Sequence, residues 1–265
     1  MSYFTDRRLK EFDQHISAID SKYHKLLLTL NGWPFASISA QEYARHGFMR
    51  RMKTILRCVH NVFDIVPPDH EGIPTGEQLT DCTINLQSFL LNVYGAVDNL
   101  AWILVYELGI SCPDGSDLPN RFVGLRKVNK LVRSSLSVDF QTYLETIDEW
   151  FDHLENFRHA LAHRIPIYIP PHIVPKSKEP AYQDLESQKL RALARFDMDE
   201  HDRLDAEQVK LVIFRPWMTH SFSEVAPTVI FHGQIIQDFQ TLEALAWKAI
   251  GDLESHRDSQ QGPSI

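Results

Sequence analysis

The stretch LQSFLLNVYGAVDNLAWILVYEL, residues 86–108, decides the fold. Its apolar side chains recur at the three- and four-residue spacing of one face of an α-helix. Around Ala101 to Tyr106 they occupy almost the whole circumference of that helix. A helix that is apolar on all sides has to be buried. The stretch therefore predicts a long helix at the centre of a helical bundle.

The same periodicity predicts helices on both sides of this central one. Ser39 and Glu42 have the spacing of a capping box at the start of one of them, and Ser137 has the position of an N-cap at the start of another. These flanking helices are expected over about 9–30, 39–66, 120–135, 137–161 and 233–257. The prediction is a mainly α protein, with a helical bundle over residues 1–164.

Residues 165–232 differ in character from the bundle. Four prolines in IPIYIPPHIVP (165–175) remove backbone donors and disfavour helix, and KSKEPAYQDLESQ (176–188) is polar and expected to be exposed. QVKLVIFR (208–215) and VAPTVIFH (225–232) are short β-branched and aromatic runs, which predict an antiparallel pair. The sequence thus predicts a single domain over residues 1–265: the bundle, a loop and β-hairpin insertion at 165–232, and a C-terminal helix that packs on the bundle.

Composition narrows the class of protein. The 265 residues carry a net charge of −8, which argues against a dedicated nucleic-acid scaffold, and 43% are hydrophobic, enough for a buried core. Cys58, Cys82 and Cys112 lack C-x-x-C spacing, as expected in a reducing compartment without structural zinc. MSYFTDRRLKEFD lacks a signal-peptide core, and no uncharged apolar stretch approaches the roughly 18 to 20 residues of a membrane helix. We expect a cytoplasmic protein without a membrane partner.

The segment ENFRHALAHR (155–164) concentrates charge near a helix end. Helical spacing at about 100° per residue places Arg158 on the apolar stripe, beside Phe151, Leu154 and Leu161. A guanidinium there needs a partner or an opening to water. Asp98 on the central helix is the obvious partner, so one interpretation of Arg158 is a structural ion pair.

His159 and His163 lie four residues apart, on the same face as Glu155. Histidines at this spacing hold zinc in known helices, so these three residues are one candidate metal site. The glutamate that directly follows the first histidine of the zinc-protease motif is missing here, and no remote ligand set is evident. The alternative is a solvated polar face, and we expect no metal and no other cofactor.

Arg158 and His163 also form the pattern Arg-x-x-x-x-His. Histidine can act as a general base or acid, and arginine can stabilise the charge that develops on a phosphate. RNA supplies its own nucleophile in the 2′-hydroxyl, so its cleavage needs no metal. An ideal helix places the two residues about 140° apart, and a paired helix from a second subunit would complete the site.

These features resemble the HEPN superfamily, the all-α domains of many prokaryotic toxin and defence ribonucleases. The resemblance covers roughly residues 80–165 and rests on the Arg-x-x-x-x-His pattern and on YGAVDNLAWIL (94–104). The motif arginine falls on Arg158, the polar position after it on His159, where catalytic members most often have Asn or Asp, and the motif histidine on His163. Asp98 and Asn99 are expected to support them.

The resemblance implies a metal-independent endoribonuclease whose site forms across a homodimer, with RNA as substrate and room for a neutralising partner protein. The superfamily also contains members that have lost catalysis. The alternative function is therefore a noncatalytic HEPN-like interaction or binding module, in which Arg158 and Asp98 hold two helices together.

Two basic segments are candidate contacts for an RNA backbone. The predicted second helix carries His46, Arg50, Lys53, Arg57 and His60 on one stripe, and the segment 120–135 carries Arg121, Arg126, Lys127, Lys130 and Arg133. Stripes of this kind suit phosphates, so Arg50, Lys53, Arg57 and Lys130 are predicted to bind the backbone. The alternative is a solvated face that pairs with acids. The acids from Asp148 to Glu155 oppose RNA binding unless they are paired.

Overall fold

Helices make up most of the protein in a computed structural model that describes residues 3–221 and 228–261. They are α1 (Asp6–Gly32), α2 (Ile38–Glu42), α3 (Met49–Ile65), α4 (Gly76–Leu108), α5 (Lys130–Ser134), α6 (Val138–Thr146), α7 (Asp148–His163), α8 (Glu179–Ala194), α9 (Met198–Val209) and α10 (Phe231–Gln261). A π-helical segment, Tyr43–Phe48, joins α2 to α3. The prediction of a mainly α helical bundle is confirmed.

The central helix is α4, as the sequence predicts. It begins with a capping box: the Thr75 hydroxyl accepts from the backbone N–H of Gln78 at 3.2 Å, and the Gln78 side chain accepts from the backbone N–H of Thr75 at 2.9 Å. It ends at Gly109, whose φ of +63° favours glycine. The helix packs against α3, α7 and α10 and buries large side chains such as Phe89 in the core.

By length and composition alone, α4 is apolar enough to cross a membrane. Its most apolar window has a mean hydropathy of 1.4, and 56% of that window is buried inside the protein. The core helix of a soluble protein passes the same test when it is mostly buried, so α4 is compatible with a soluble bundle.

Three predicted helix boundaries are wrong. The second helix is capped by Ser37, whose hydroxyl accepts from the N–H of Ala40 at 3.3 Å, and Ser39 lies inside it. The predicted helix over 137–161 is two helices, because Ile147 leaves the helical region with φ −113° and ψ 12°. Within 120–135 only α5 and a 3₁₀ turn at Asn120–Phe122 are helical, and Arg126 in the chain between them is paired with Glu155 of α7.

The insertion at 165–232 is more helical than predicted. It contains α8 and α9, which pack against each other and are held by Lys189, bonded to Asp205 and, at 2.8 Å, to Gln208. Pro180 lies in the first turn of α8, where it needs no backbone partner. Most of the polar segment 176–188 is exposed, as predicted. The segment is also helical, since it forms the start of this helical pair from residues of high helix propensity.

The predicted antiparallel pair is present but short and shifted. Strands β1 (Trp217–Met218) and β2 (Val229–Ile230) pair antiparallel, with Trp217 opposite Ile230. The predicted strand 208–215 is wrong: its first two residues end α9, and Ile213 makes only an isolated bridge with Ile173. Of the predicted strand 225–232, residues 225–227 lie outside the described residues and 231–232 begin α10.

The buried ionisable residues Asp238 and His232 both lie on α10. The Asp238 carboxylate accepts from Trp150 Nε1 and Gln234 Nε2, both at 2.8 Å, and burial raises its pKa from 3.8 to about 7. His232 is fully buried with Nε2 2.7 Å from the carbonyl oxygen of Val66, and burial lowers its pKa from 6.5 to about 4. The two groups give the free energy of unfolding opposite pH dependences.

Replacing Asp238 by Asn is expected to remove one of these dependences. The pKa of Asp238 is about 7 in the folded state and about 4 in the unfolded state. Between these pH values the folded state keeps a proton that the unfolded state has released. Asp238 therefore lowers the free energy of unfolding as the pH rises from about 4 to about 7. The free energy of unfolding of Asp238→Asn, minus that of the wild type, should therefore increase with pH by up to about 1.4 kcal/mol per unit. Urea unfolding at a series of pH values measures it.

Asp13→Asn is the matched control, since Asp13 is exposed on α1. The change of its difference from the wild type with pH should be much smaller than that of Asp238→Asn. A constant difference for Asp238→Asn would contradict the raised pKa of Asp238.

Candidate functional site

One face of α4 carries Tyr94, Asp98, Trp102 and Tyr106, four residues apart and hence in line along the helix. The first three line a cavity of about 370 Å³ between α4, α7 and the loop before α5. Phe151 and Leu154 of α7 form its apolar wall. The cavity lies at the helix pair that carries Asp98 and Arg158.

The segment 124–133, which comprises the loop before α5 and most of α5, pairs with acids of α7. Arg126 pairs with Glu155 and lies 3.6 Å from Asp152. Buried Asp148 is bonded by Arg133 and lies 3.5 Å from Lys127. Three of the four acids in 148–155 are therefore paired, whereas exposed Glu149 has no ion pair with a cation among the described residues. The same contacts engage Arg126, Lys127 and Arg133, so these cations are not free for a phosphate backbone.

Gly124 makes this loop possible. A β-carbon at Gly124 would lie 2.5 Å from Oδ1 of Asn129. Buried Asn129 therefore packs directly against the glycine backbone, and the loop closes tightly enough to hold Arg126 and Arg133 against α7. Glycine is the residue that permits so close an approach.

Arg158 is half-buried and lies over the ring of Tyr94, with Cζ 5.6 Å from the ring centroid. Its charge acts on Asp98 from nearby and favours the ionised carboxylate, although burial has the larger effect on the pKa of Asp98. Within residues 3–221 and 228–261, however, the guanidinium has no hydrogen bond or ion pair with any carboxylate. The structural Arg158–Asp98 ion pair, one of the two interpretations of Arg158, is not formed.

Asp98 lies at the mouth of the cavity, where it keeps contact with solvent. The protein atoms around it displace part of its hydration, and this loss outweighs the nearby guanidinium groups of Arg51, Arg158 and Arg126, so the pKa of Asp98 rises to about 6. Near neutral pH the carboxyl therefore exists partly in its protonated form, able to donate a hydrogen bond as well as to accept one.

The two histidines lie on the exposed side of α7. Their rings are edge to face with centroids 6.2 Å apart, and His159 Nε2 is 4.0 Å from Glu155 Oε1. His163 is the exposed last residue of the helix. In the described part of the chain, no hydrogen bond connects Arg158 to His163, as their angular separation on one helix predicts.

The metal alternative gains no support from this geometry. Glu155, its proposed third ligand, is bonded to Arg126. Across residues 3–221 and 228–261, no group of three or more His, Cys, Asp or Glu side chains is placed to hold a metal ion.

Asn99 faces α3 and not α7. Arg51 donates from Nε to Asn99 Oδ1 at 3.1 Å and from Nη1 to Asn92 Oδ1 at 3.3 Å. Its guanidinium lies against Gly95, where a β-carbon would be 2.5 Å from Arg51 Cζ. This contact is not predicted by the helical periodicity. A glycine inside a buried helix is the signal that could have found it, because such a glycine often marks a close approach.

The four cations that are predicted to bind an RNA backbone lie on exposed surfaces. Arg50, Lys53 and Arg57 project from the outer face of α3, and Lys130 is exposed at the start of α5. These four cations have no acidic partner among the described residues. His60, at the end of the stripe, is bonded to Asp20 at 2.9 Å. The stripe on α3 thus remains available to bind an anion.

No family model, no curated protein and no solved structure matches the chain. Its function has to be inferred from the side chains at the junction of α4 and α7.

Gly95→Ala is expected to weaken the α3–α4 contact. The new β-carbon would displace the Arg51 guanidinium and break its bonds to Asn92 and Asn99. We expect the free energy of unfolding to fall by about 1–3 kcal/mol, measured by urea denaturation.

Gly251→Ala on α10 is the matched control, because nothing lies within 4 Å of its added β-carbon. That substitution should be neutral or stabilising by up to about 1 kcal/mol, since alanine favours helix. Equal effects of the two substitutions would contradict a packing role for Gly95.

Proposed function

We propose that the protein is a metal-independent endoribonuclease with Arg158 and His163 as its catalytic residues. The observation that supports this function best is the state of Arg158: half-buried at a helix junction, placed on Tyr94, and without a carboxylate partner in the described part of the chain. A purely structural arginine in such a position is expected to be paired. An arginine that binds a phosphate has to be available.

In the proposed reaction, His163 accepts the proton of a 2′-hydroxyl, whose oxygen attacks the adjacent phosphorus. The P–O5′ bond breaks, the leaving oxygen takes a proton from water, and His163 returns its proton to the solvent. The products are a 2′,3′-cyclic phosphate and a 5′-hydroxyl. Arg158 stabilises the negative charge that grows on the phosphate oxygens during this step. His159 and Asp98 are positioning residues, and the Arg50, Lys53 and Arg57 stripe with Lys130 contacts the backbone.

The site is proposed to form between two subunits. Arg158 and His163 point in different directions from α7, so one chain presents them poorly to a single phosphate. In a homodimer that pairs α7 with its symmetry mate, Arg158 of one chain can face His163 of the other. The resemblance to the HEPN superfamily also supports the proposal, and it indicates a ribonuclease of the toxin or defence class.

A second candidate function is a noncatalytic interaction module. Leu190, Leu193 and Phe196 are exposed on α8 and just after it, and the Phe196 side chain is 88% exposed on a backbone with φ of +57°. Apolar side chains held out into solvent are typical of a surface that binds another protein. This observation favours an interaction role for the α8–α9 pair, alone or beside catalysis.

Cleavage of a mixed RNA pool in EDTA tests the leading proposal. The wild type is expected to cleave and leave cyclic phosphate ends, whereas Arg158→Ala and His163→Ala should each lose at least about a hundredfold in rate. Both variants should remain folded by circular dichroism, because neither side chain holds an ion pair in the described structure.

Arg203→Ala and His201→Ala on α9 are the matched controls and should cleave at the rate of the wild type. Mixing the two inactive variants should restore part of the activity, since a mixed dimer contains one site with both residues intact. No cleavage by folded wild type, or full activity in His163→Ala, would overturn the ribonuclease proposal.

A further inference from the structure

A second cavity continues the first along α4. It has a volume of about 310 Å³ and is lined by Tyr106, Gly109, Ile110 and the segment around Leu118. Trp102 and Asn120 line both cavities, so the two adjoin at these side chains. We call the combined feature the α4 groove: Tyr94, Asp98, Trp102 and Tyr106 on one side, and the loop residues 117–129 on the other.

Aromatic rings dominate the helix side of the α4 groove. Trp102 is stacked on Tyr106, with centroids 5.2 Å apart and an interplanar angle of 22°, and Tyr43 lies 5.6 Å from each of them. Tyr106 is 37% exposed. An aromatic stack that remains open to solvent offers flat apolar faces to a planar ligand.

Cations flank these rings. Arg121 is exposed over the ring of Phe122, with no acidic partner among the described residues, and it lines the cavity next to Arg126. Arg158 lies over Tyr94 at the other end. Asp148, Asp152 and Glu155 of α7 are paired with cations of the segment 124–133. Asp98 is the carboxyl that lines the first cavity, and Asp117 lines the second.

We propose that the α4 groove binds the unpaired bases of a single-stranded RNA, an inference that rests on the proposed function and names the form of its substrate. Bases stack on Trp102 and its neighbours, and the phosphates between them face Arg121 and Arg158. Asp98 accepts hydrogen bonds from base N–H groups. A duplex keeps its bases stacked and paired, so it cannot place them in the groove.

Binding of an uncleavable strand tests the groove separately from catalysis. The probe is a fluorescein-labelled 2′-deoxy strand of about 12 nucleotides, which has the bases and phosphates but no 2′-hydroxyl, compared with its duplex by fluorescence anisotropy at one salt concentration. The wild type should bind the single strand at least about tenfold more tightly than the duplex. Trp102→Leu and Tyr106→Ala should each weaken single-strand binding by about tenfold.

Trp247→Leu is the matched control, because it removes an indole outside the groove, where Lys25 lies 5.0 Å from the ring centroid. Its affinity should equal that of the wild type. If Trp102→Leu fails to fold, Tyr106→Ala alone tests the groove. Its side chain is partly exposed, so we expect that variant to fold. Unchanged affinity in the groove variants, equal affinity for the duplex, or no binding by the wild type would overturn the inference.

The two proposals can fail independently. Binding that depends on Trp102 in a protein that cleaves no RNA would leave the groove assigned and remove the ribonuclease. Cleavage in EDTA by a protein whose binding ignores Trp102 and Tyr106 would retain the ribonuclease and remove the groove.

Discussion

The site depends on the ion pairs that the segment 124–133, which comprises the loop before α5 and most of α5, makes with acids of α7. Arg126 bonds Glu155 and Arg133 bonds buried Asp148, so the loop closes one side of the cavity while it neutralises these two acids. Glu155 and Arg158 lie about one helical turn apart on α7. Without Arg126, Glu155 would be close enough to pair with Arg158. The loop therefore determines that Arg158 lies over Tyr94 and not against an acid.

The helix α4 carries both core side chains and polar side chains. It fills the core with apolar side chains, yet it carries Asn92, Asn99 and Asp98 on faces that meet α3 and α7. Arg51 satisfies both asparagines through a space that only glycine at position 95 leaves open. Asp98 is left at the cavity mouth with a raised pKa, and a group in that condition is more typical of functional sites than of structural ones.

The sequence was sufficient for the bundle and for its central helix, because burial of α4 is encoded in apolar residues on all its sides. It was insufficient for residues 165–232, since α8 and α9 are stabilised by polar contacts such as those of Lys189, which leave no strong apolar period. The run 208–215 has high β-propensity, but Gln208 is buried in the α8–α9 contact and ends a helix.

The sequence was likewise sufficient to predict one part of the site and insufficient for the rest. Periodicity placed Arg158 and Asp98 near each other, and the structure does bring their helices together. Which acid pairs with which cation depends on contacts between residues far apart in sequence, such as Arg126 and Glu155, and helical spacing carries no information about them. The residues Tyr94, Asp98, Trp102 and Tyr106 have a four-residue spacing in the sequence. That spacing carries no information about the residues of 117–129 that line the same cavities.

The central claim is that Arg158 is available to bind a phosphate because it is not locked to Asp98. A double-mutant cycle on the free energy of unfolding, with Asp98→Asn, Arg158→Gln and the two together, tests this claim most directly. We expect additive effects, with a coupling energy below about 0.5 kcal/mol. A coupling of about 2 kcal/mol or more would show that the two charges hold α4 and α7 together, and it would make Arg158 a structural residue.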